Sequence, residues 1–529
     1  MKKLFLTFFT ILIMTTFIAC NNQDKTEVDN HTPQIDETDD NYRVFYEIFT
    51  GSFSDSNGDG IGDLRGIINR LDYLNDGDIY SGESLGIQGI WLTPIFASPT
   101  YHKYDVSDYY AIDSSFGTID DLKELISECH KRNVLLILDL PINHTSSSHQ
   151  WFTEFKRAHQ NNDIDNQYYD YYTWCEIENK PAGRTFTKIP GTLQMYEANF
   201  TGDMPELNFE NEKVREECLN IAKYYLDLGI DGFRFDAAKY IYYGDTNESV
   251  SFWNWYMAEL RKIKSDVYCV GEVWSNDYET QSYTESLNCF NFQVAGAEGY
   301  LKDTSANGDV NIYSNYIVNY INTIHSKNNG AMIIQFISNH DMDRSAGYLT
   351  LASKRMNMAA NLYILCSGSP FIYYGEEIGM KGIRGSAQTD ANRRLAMLWG
   401  DGDTISDPEG TTYESSKQTN GTVLDQLNNE DSLLNYYKAL IALRLKYPAI
   451  ARGTYESLNL SGTKIGGFKI TYEGKTIYLL HNTLDSDITI SLAQITNSDI
   501  NLLDYIGQGD SSIDGDNLII GSQSSCILG

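Results

Sequence analysis

The sequence predicts an α/β fold: a (β/α)8 TIM barrel with a small inserted domain after strand 3 and a C-terminal antiparallel β-sandwich domain. Three observations lead there. Short apolar strands alternate with longer helix-patterned segments between Tyr42 and Tyr447, the signature of βαβ units around a parallel sheet. One stretch inside this region is too long and too polar for an ordinary βα loop, and after Tyr447-Pro448 the pattern turns to short β runs alone. A chain of 529 residues with 42% hydrophobic and 21% charged residues can bury a sizeable core. It is too long for one ordinary domain, although a barrel holds roughly 250 residues in one unit.

The strand candidates are Val44 to Phe53, Ile87 to Ile95, Val134 to Leu140, Ile230 to Asp236, Val267 to Trp274, Ser286 to Gln293, Ala331 to Ser338 and Phe371 to Tyr374. Alternation of this kind suits a doubly wound sheet or a barrel. Eight strands favour the barrel, whose active site forms at the C-terminal strand ends. Asn211 to Leu228 illustrates the helices between them: Val214, Cys218, Ile221, Ala222, Tyr225 and Leu228 share a face, and Gly229 is the stop. From Asn143 to Asn211 the chain is rich in Tyr, Asn, Asp and Gly without sustained helical periodicity, so residues 143–210 read as the inserted domain of a catalytic body spanning 42–447. In 448–529, Lys464 to Tyr472, Thr476 to His481, Ile488 to Leu492 and Asn517 to Ile520 read as strands of the sandwich.

The N-terminus carries Lys2 and Lys3, an apolar run from Leu4 to Ile18 and a small Ala19 before Cys20, which is an export signal over 1–19. Phe17-Ile18-Ala19-Cys20 resembles the bacterial lipobox, with Phe17 in place of the usual Leu. That resemblance implies a lipidated Cys20, a tether over 20–41, and an exported lipoprotein anchored to a membrane at the cell surface or in the periplasm. An uncleaved anchor is the alternative, although the run is short for a spanning helix of about 20 residues. Of the cysteines, seven remain beyond Cys20, with no C-x-x-C spacing, so a zinc site is not expected and mostly free, buried thiols are.

The formal charge of −32 excludes nucleic acid as a partner, because a polyphosphate would be repelled, whereas a neutral polysaccharide would not be. The 38 Tyr and 7 Trp suit sugar stacking, though most large aromatics pack in cores. A monomer is expected. The chemistry lies at strand ends. In Asp231-Gly232-Phe233-Arg234-Phe235-Asp236, the period of two puts Arg234 and Asp236 on one face, where the guanidinium is expected to keep the carboxylate ionised, as a glycosyl nucleophile requires. Gly271-Glu272-Val273-Trp274 ends the next strand with a carboxylate among apolar neighbours, which raise a carboxyl pKa as a general acid needs. Asp341 ends strand 7 in Ser338-Asn339-His340-Asp341. A structural Arg–Asp pair would explain the first motif alone, but three carboxylates on one rim are costly in mutual repulsion and point to function.

Asp139-Leu140-Pro141-Ile142-Asn143-His144, Gly232 to Lys239, Gly271 to Trp274 and Asn339-His340-Asp341 together resemble, in order, the four signature stretches of the α-amylase family, glycoside hydrolase family thirteen. The resemblance runs over essentially the whole chain after Tyr42. It implies that Asp236 is the nucleophile, Glu272 the proton donor and Asp341 a transition-state stabiliser. It also implies substrate contacts by His144, Arg234 and His340, a stacking platform from Tyr104, and a substrate-side Arg394, beside which Ala396 stands where Pro is common. The substrate would be an α-glucan such as starch, glycogen or maltooligosaccharides, cleaved at α-1,4 bonds with retention, for which the two working carboxyls lie roughly 5 Å apart.

Asp55-x-Asn57-x-Asp59-Gly60-Ile61-Gly62-Asp63 has the alternating oxygens that suit Ca2+. It looks like the start of an EF-hand loop but has Gly66 at the closing position instead of Glu. The family resemblance implies instead a structural Ca2+ loop after the first strand, bound by Asp55, Asn57, Asp59, Asp63 and the carbonyl of Ile61; an Asx-rich turn without metal is the alternative. A second family Ca2+ would involve Asn143 and Glu206, where Glu206 replaces the frequent Asp and Tyr240 the frequent His. Three other functions stay open: a neopullulanase, cyclomaltodextrinase or other α-1,6-acting relative; a non-catalytic glycan-binding barrel lipoprotein; and a calcium-binding or adhesion lipoprotein. Retention of Asp236, Glu272 and Asp341 argues against the second, and the third leaves those carboxylates unexplained.

Overall fold

In the computed structural model, which describes residues 40–79, 81–350, 354–460 and 462–529, eight parallel strands form the barrel. They are β1 (Phe45–Ile48), β2 (Gly89–Leu92), β3 (Leu135–Leu140), β4 (Gly232–Phe235), β5 (Tyr268–Gly271), β6 (Asn288–Cys289), β7 (Ile334–Gln335) and β8 (Ser369–Tyr373). Hydrogen bonding runs in the order β6-β5-β4-β3-β2-β1-β8-β7, and a parallel bridge between Phe290 and Ile334 joins the two outer strands and closes the ring. The leader, Cys20 and nearly all of the tether lie outside the described residues. No helix among the described residues is long and apolar enough to cross a membrane.

Strand alternation sorts side chains into two cores. Phe45, Trp91, Ile137, Tyr268, Phe290 and Phe371 belong to the inner cluster, with the rings of Phe45 and Phe371 stacked at 4.6 Å. A Cβ on Gly89 would come within 2.4 Å of the Phe45 ring, so this glycine makes room for it. The intervening positions, Tyr46, Ile48, Leu136, Leu138, Phe233 and Phe235, pack in the outer cluster under the helices. One such helix, Glu212–Leu228, starts at an Asn211 side chain that accepts from Lys213 N and ends at left-handed Gly229 (φ 110°). Its buried face contains Leu226, while Leu228 is only partly buried.

The strands are shorter than expected, because the apolar runs continue into buried loops such as Phe49 to Phe53, which leave the ladder without leaving the core. The segment after β3 contains a helix, Gln150–Asn161, that the expectation of no helical periodicity missed. Phe152, Phe155, Ala158 and His159 form its buried stripe, with a histidine completing an otherwise short apolar pattern. A three-stranded antiparallel sheet follows, with Gln194–Glu197 between Trp174–Glu176 and Phe186–Lys188.

After Arg452 the chain forms a five-stranded antiparallel sheet in the order Thr454–Asn459, Gly466–Tyr472, Lys475–Asn482, Ser524–Leu528, Leu502–Gly507. It faces a three-stranded sheet of Ile488–Ser491, Asn517–Ile520 and Ser512–Asp514. Ile477 and Leu479 point to the barrel-side core, whereas Tyr478 and Leu480 point between the sheets. The seven cysteines of the described residues are unpaired, and all but Cys175 are buried.

Candidate active site

The alternation that fills the barrel floor also builds its mouth. Two residues beyond Phe45 and Ile137, the inward positions are Glu47 and Asp139, and on β4 the inward position is Arg234, opposite Asp139 in register. Arg234 is fully buried, so its charge must be met locally. Its Nη1 donates to both Asp139 oxygens (2.9 and 3.0 Å) and to Asp236 Oδ1 (2.7 Å). Its Nη2 lies 2.9 Å from Glu272 Oε2, within ion-pair range but off line for a hydrogen bond. The guanidinium also faces the Trp91 ring at 5.1 Å.

Burial pushes Asp236 up to about 6, against the pull of Arg234 and with a push from Asp139. Burial likewise pushes Glu272 up to about 7. Against the expectation that the guanidinium beside it keeps Asp236 ionised by favouring the charged form, desolvation outweighs the guanidinium, although Asp236 accepts a direct hydrogen bond from it. Glu272 Oε2 is instead held by Ala237 N (3.0 Å). Ala237 sits in the left-handed region (φ 45°), an uncommon conformation for a residue with a Cβ, and this turn aims its N–H at Glu272.

Across the mouth, Asp341 Oδ1 accepts from Arg394 Nη2 (2.6 Å), and its Oδ2 lies 2.9 Å from His340 Nε2. Although burial acts the other way, His340, Arg394 and Arg234 hold Asp341 far below the usual carboxylate range. Arg394 is spent on protein: Nε donates to the His340 carbonyl (3.1 Å) and Nη1 to Tyr101 Oη (3.0 Å), so it stands behind Asp341. Tyr104 Oη donates to Asp139 Oδ2 (2.8 Å) and is 2.7 Å from His340 Nε2, with the two rings stacked at 5.4 Å. His144 Nε2 bonds the Tyr104 carbonyl (3.1 Å), and burial pulls this imidazole down to about 4, so it is neutral. Its Nδ1 is buried with no hydrogen-bond partner among the described residues.

Asp236, Glu272, Asp341, Tyr104, His144 and Arg394 line one cleft of about 790 Å³, with Arg234 and His340 directly beneath. The cleft also contains residues not anticipated from sequence: Tyr101, His102, Phe200, Lys239, Tyr240 and Trp274. Trp274 is 45% exposed and stacks on Phe292 (4.9 Å, 11°), and Lys239 Nζ donates to its carbonyl (2.7 Å). Phe200 and Tyr240 form a second aromatic wall, centroids 4.8 Å apart. Asp139 and Glu47 were legible in principle, as charges inside apolar strands.

Residues 47–453 match the family described as alpha amylase, catalytic domain. The chain belongs to the α-amylase family. Alpha-amylase 3 of Dictyoglomus thermophilum is 35% identical over 495 residues, covering 92% of each chain. An oligo-1,6-glucosidase of Bacillus cereus is 30% identical, covering 87% of this chain and 94% of its own. The solved structure of Eubacterium rectale Amy13B superimposes with a TM-score of 0.86 at 33% identity, over 94% of this chain and 97% of the other. This α-amylase-family chain is a glycoside hydrolase.

The family's calcium sites can be tested against the residues present. In the loop after β1, Asp55 Oδ1 accepts from Asn57 N (3.0 Å) and Gly58 N (2.7 Å), Asn57 Oδ1 from Asp59 N (2.9 Å) and Asp59 Oδ1 from Ile61 N (2.8 Å). These successive Asx turns leave further lone pairs on each oxygen, which fits a hard cation. Asp63 is more committed, because it caps the helix Leu64–Asn69 through Gly66 N and accepts from Ser56. No cluster of three His, Cys, Asp or Glu side chains suited to a metal occurs among the described residues, so Asp55, Asp59 and Asp63 do not by themselves form one. At the second location, Asn143 Oδ1 is buried without a hydrogen-bond partner among the described residues, 3.3 Å separates Asn143 Nδ2 from Glu206 Oε2, and burial pushes Glu206 up to about 8.

Proposed function

We propose that this enzyme hydrolyses α-1,4-glucosidic bonds of starch, glycogen or maltooligosaccharides with retention. The observation that carries the reading is one guanidinium that hydrogen-bonds Asp236 through one nitrogen and lies within ion-pair range of Glu272 through the other, an arrangement suited to the ~5 Å carboxyl spacing of retaining enzymes. Asp236 Oδ2, the oxygen not tied to Arg234, attacks the anomeric carbon. Glu272 Oε1, which has no donor among the described residues, protonates the departing oxygen, and the ionised Glu272 then activates water against the glycosyl-enzyme. Asp341, ionised between Arg394 and His340, orients sugar hydroxyls and offsets positive charge in the transition state without transferring a proton. Tyr104 and His144 contact the same sugar, and Trp274 with Phe200 and Tyr240 flanks the sugars beyond it.

Met204-Pro205-Glu206-Leu207-Asn208 and Ala237-Ala238-Lys239 support α-1,4 action, while the relative named oligo-1,6-glucosidase supports the α-1,6 reading. Product chromatography over time on soluble starch, pullulan, cyclodextrin and isomaltose separates them. Faster cleavage of isomaltose than of starch would reject the α-1,4 assignment.

Two further readings belong to this proposal. Asp55, Asn57, Asp59, Asp63 and the Ile61 carbonyl hold a structural Ca2+ that supports the loop and takes no part in bond cleavage. Export and lipidation at Cys20 anchor the enzyme to a membrane. Labelled palmitate should enter the wild type and not Cys20→Ala, and equal labelling of both would end the anchor reading.

A further inference from the structure

Glu47 is a carboxylate 2% exposed in the middle of the apolar run Phe45 to Phe49. A buried carboxylate needs a partner, and the side chain takes both of its hydrogen bonds from one residue: Oε1 is 2.6 Å from His340 Nδ1 and 3.3 Å from His340 N. We propose that Glu47 is a positioning residue of the reaction, fixing the orientation and charge of His340 and through it the presentation of Asp341 and Tyr104 to the sugar. The inference rests on the assignment of Asp341 and Tyr104 to the substrate side.

Hydrogen-bond bookkeeping leads to the same conclusion. Tyr104 Oη has one proton and gives it to Asp139 Oδ2 at 2.8 Å. With Asp139 ionised, above about pH 6, His340 Nε2 at 2.7 Å from the same hydroxyl is the donor, and it is also 2.9 Å from Asp341 Oδ2. Nδ1, 2.6 Å from the Glu47 carboxylate, carries a proton too. The ring is thus an imidazolium between two carboxylates, its tilt fixed by the Trp91 ring at 5.7 Å.

The groups around it agree. Burial alone would lower the His340 pKa, but Asp341 and then Glu47 outweigh it and hold the ring at about 10. Asp139 faces it from β3. His102, neutral and held down to about 4 by burial, lies on the loop after β2. Of the cations, Arg394 acts chiefly on Asp341, and Arg234 on Asp139 and Glu272. Asp341 is tied by Arg394 as well, but Glu47, which also faces the Tyr373 hydroxyl, has no other side-chain hydrogen-bond partner among the described residues, so its hydrogen bonding serves the imidazole.

The test uses Glu47→Gln, which can still accept from Nδ1–H but brings no charge. Ring nitrogens of 15N-histidine-labelled enzyme, with His340 assigned by its loss in His340→Asn, should show both nitrogens protonated at pH ~8 in the wild type. In Glu47→Gln the ring should deprotonate about one to three pH units lower. A glycosyl fluoride needs no proton from Glu272, so the alkaline limb of its kcat/KM should shift down by the same amount. Superimposable ring titrations and pH profiles for the two proteins would overturn the proposal. Should Glu47→Gln not fold, a wild-type His340 that is neutral at pH ~8 would overturn it equally; a ring doubly protonated there that titrates lower in Glu47→Asp, whose carboxylate is one carbon short of Nδ1, would uphold it, and an unchanged titration in Glu47→Asp would overturn it. The ring titration is independent of turnover, so an active Asp236→Asn would reject the catalytic assignment and leave the Glu47–His340 coupling standing.

Discussion

At the scale of single residues, the two working carboxyls share Arg234 in different ways. Asp236 receives a direct hydrogen bond and is held near 6, whereas Glu272 is only adjacent to the guanidinium and is held near 7. Activity on starch should therefore rise as pH climbs through about 6, where the nucleophile ionises, and fall through about 7, where the acid loses its proton. An optimum above pH ~9 would contradict both assignments. Asp236→Asn should lose several orders of magnitude in kcat and keep its fold; retention of more than about a tenth of wild-type activity would remove Asp236 as nucleophile. Glu272→Gln should fail on starch yet still take an activated aryl or fluoride glycoside to the glycosyl-enzyme, which azide releases as a β-azide. An inverted product formed without any adduct on the Asp236 peptide would reject this pairing. Arg234, Asp236 and Glu272 were legible because strand period and strand ends place them without any knowledge of loops. Trp274 and Phe200 were not, because loop shape decides what an aromatic side chain faces.

At the scale of elements, the legible parts are those whose pattern and burial coincide. Glu212–Leu228 has its cap, stripe and stop written in order, so the helix was found, with Leu226 in place of Leu228 on the buried face. Leu502–Gly507 escaped notice because Asp504 interrupts it, and it lies at a sheet edge where only one neighbour demands apolar contact. The loop after β1 is an element of a different kind, held by Asx turns and by Asp403, which accepts from Ser54 Oγ (2.6 Å) and Asp55 N (3.2 Å). If Ca2+ completes it, a chelator should lower Tm more than it lowers activity in the cold, because an ion bound only to the native state at 100 times its Kd contributes about 2.7 kcal/mol. Asp59→Ala should lose that response. Identical wild-type melting curves with and without chelator would discard the ion.

For the molecule as a whole, burial of ionisable groups under a formal charge of −32 sets how stability varies with pH. Asp139 and Asp236 are raised to about 6, and Glu272 and Glu376 to about 7, in each case chiefly by burial. In the unfolded chain such groups titrate near 4, so between about pH 4 and 7 these four bind more protons in the native state and their contribution to stability falls as pH rises. His102, His144 and His149, pulled down to about 4 by burial, and His481, to about 3, act the opposite way below about pH 6.5. The slope is at most about 1.4 kcal/mol per pH unit for each proton. His340 acts in the same direction over a higher window, since a ring raised to about 10 stabilises fully below its unfolded value and loses that contribution on the way up. Asp341, depressed by its cations, opposes them only in acid, where its protonation destabilises the fold. The molecule should thus be most stable near pH ~6, where the raised carboxyls and the lowered imidazoles balance. Melting curves in chelator from pH ~6.5 to ~8.5 should show a steady fall in Tm, and Glu376→Gln should flatten it, since the amide still accepts from Tyr363 and Tyr437 but has no proton to lose. A Tm that rises over that interval would mean that these buried carboxyls are ionised in the native state throughout.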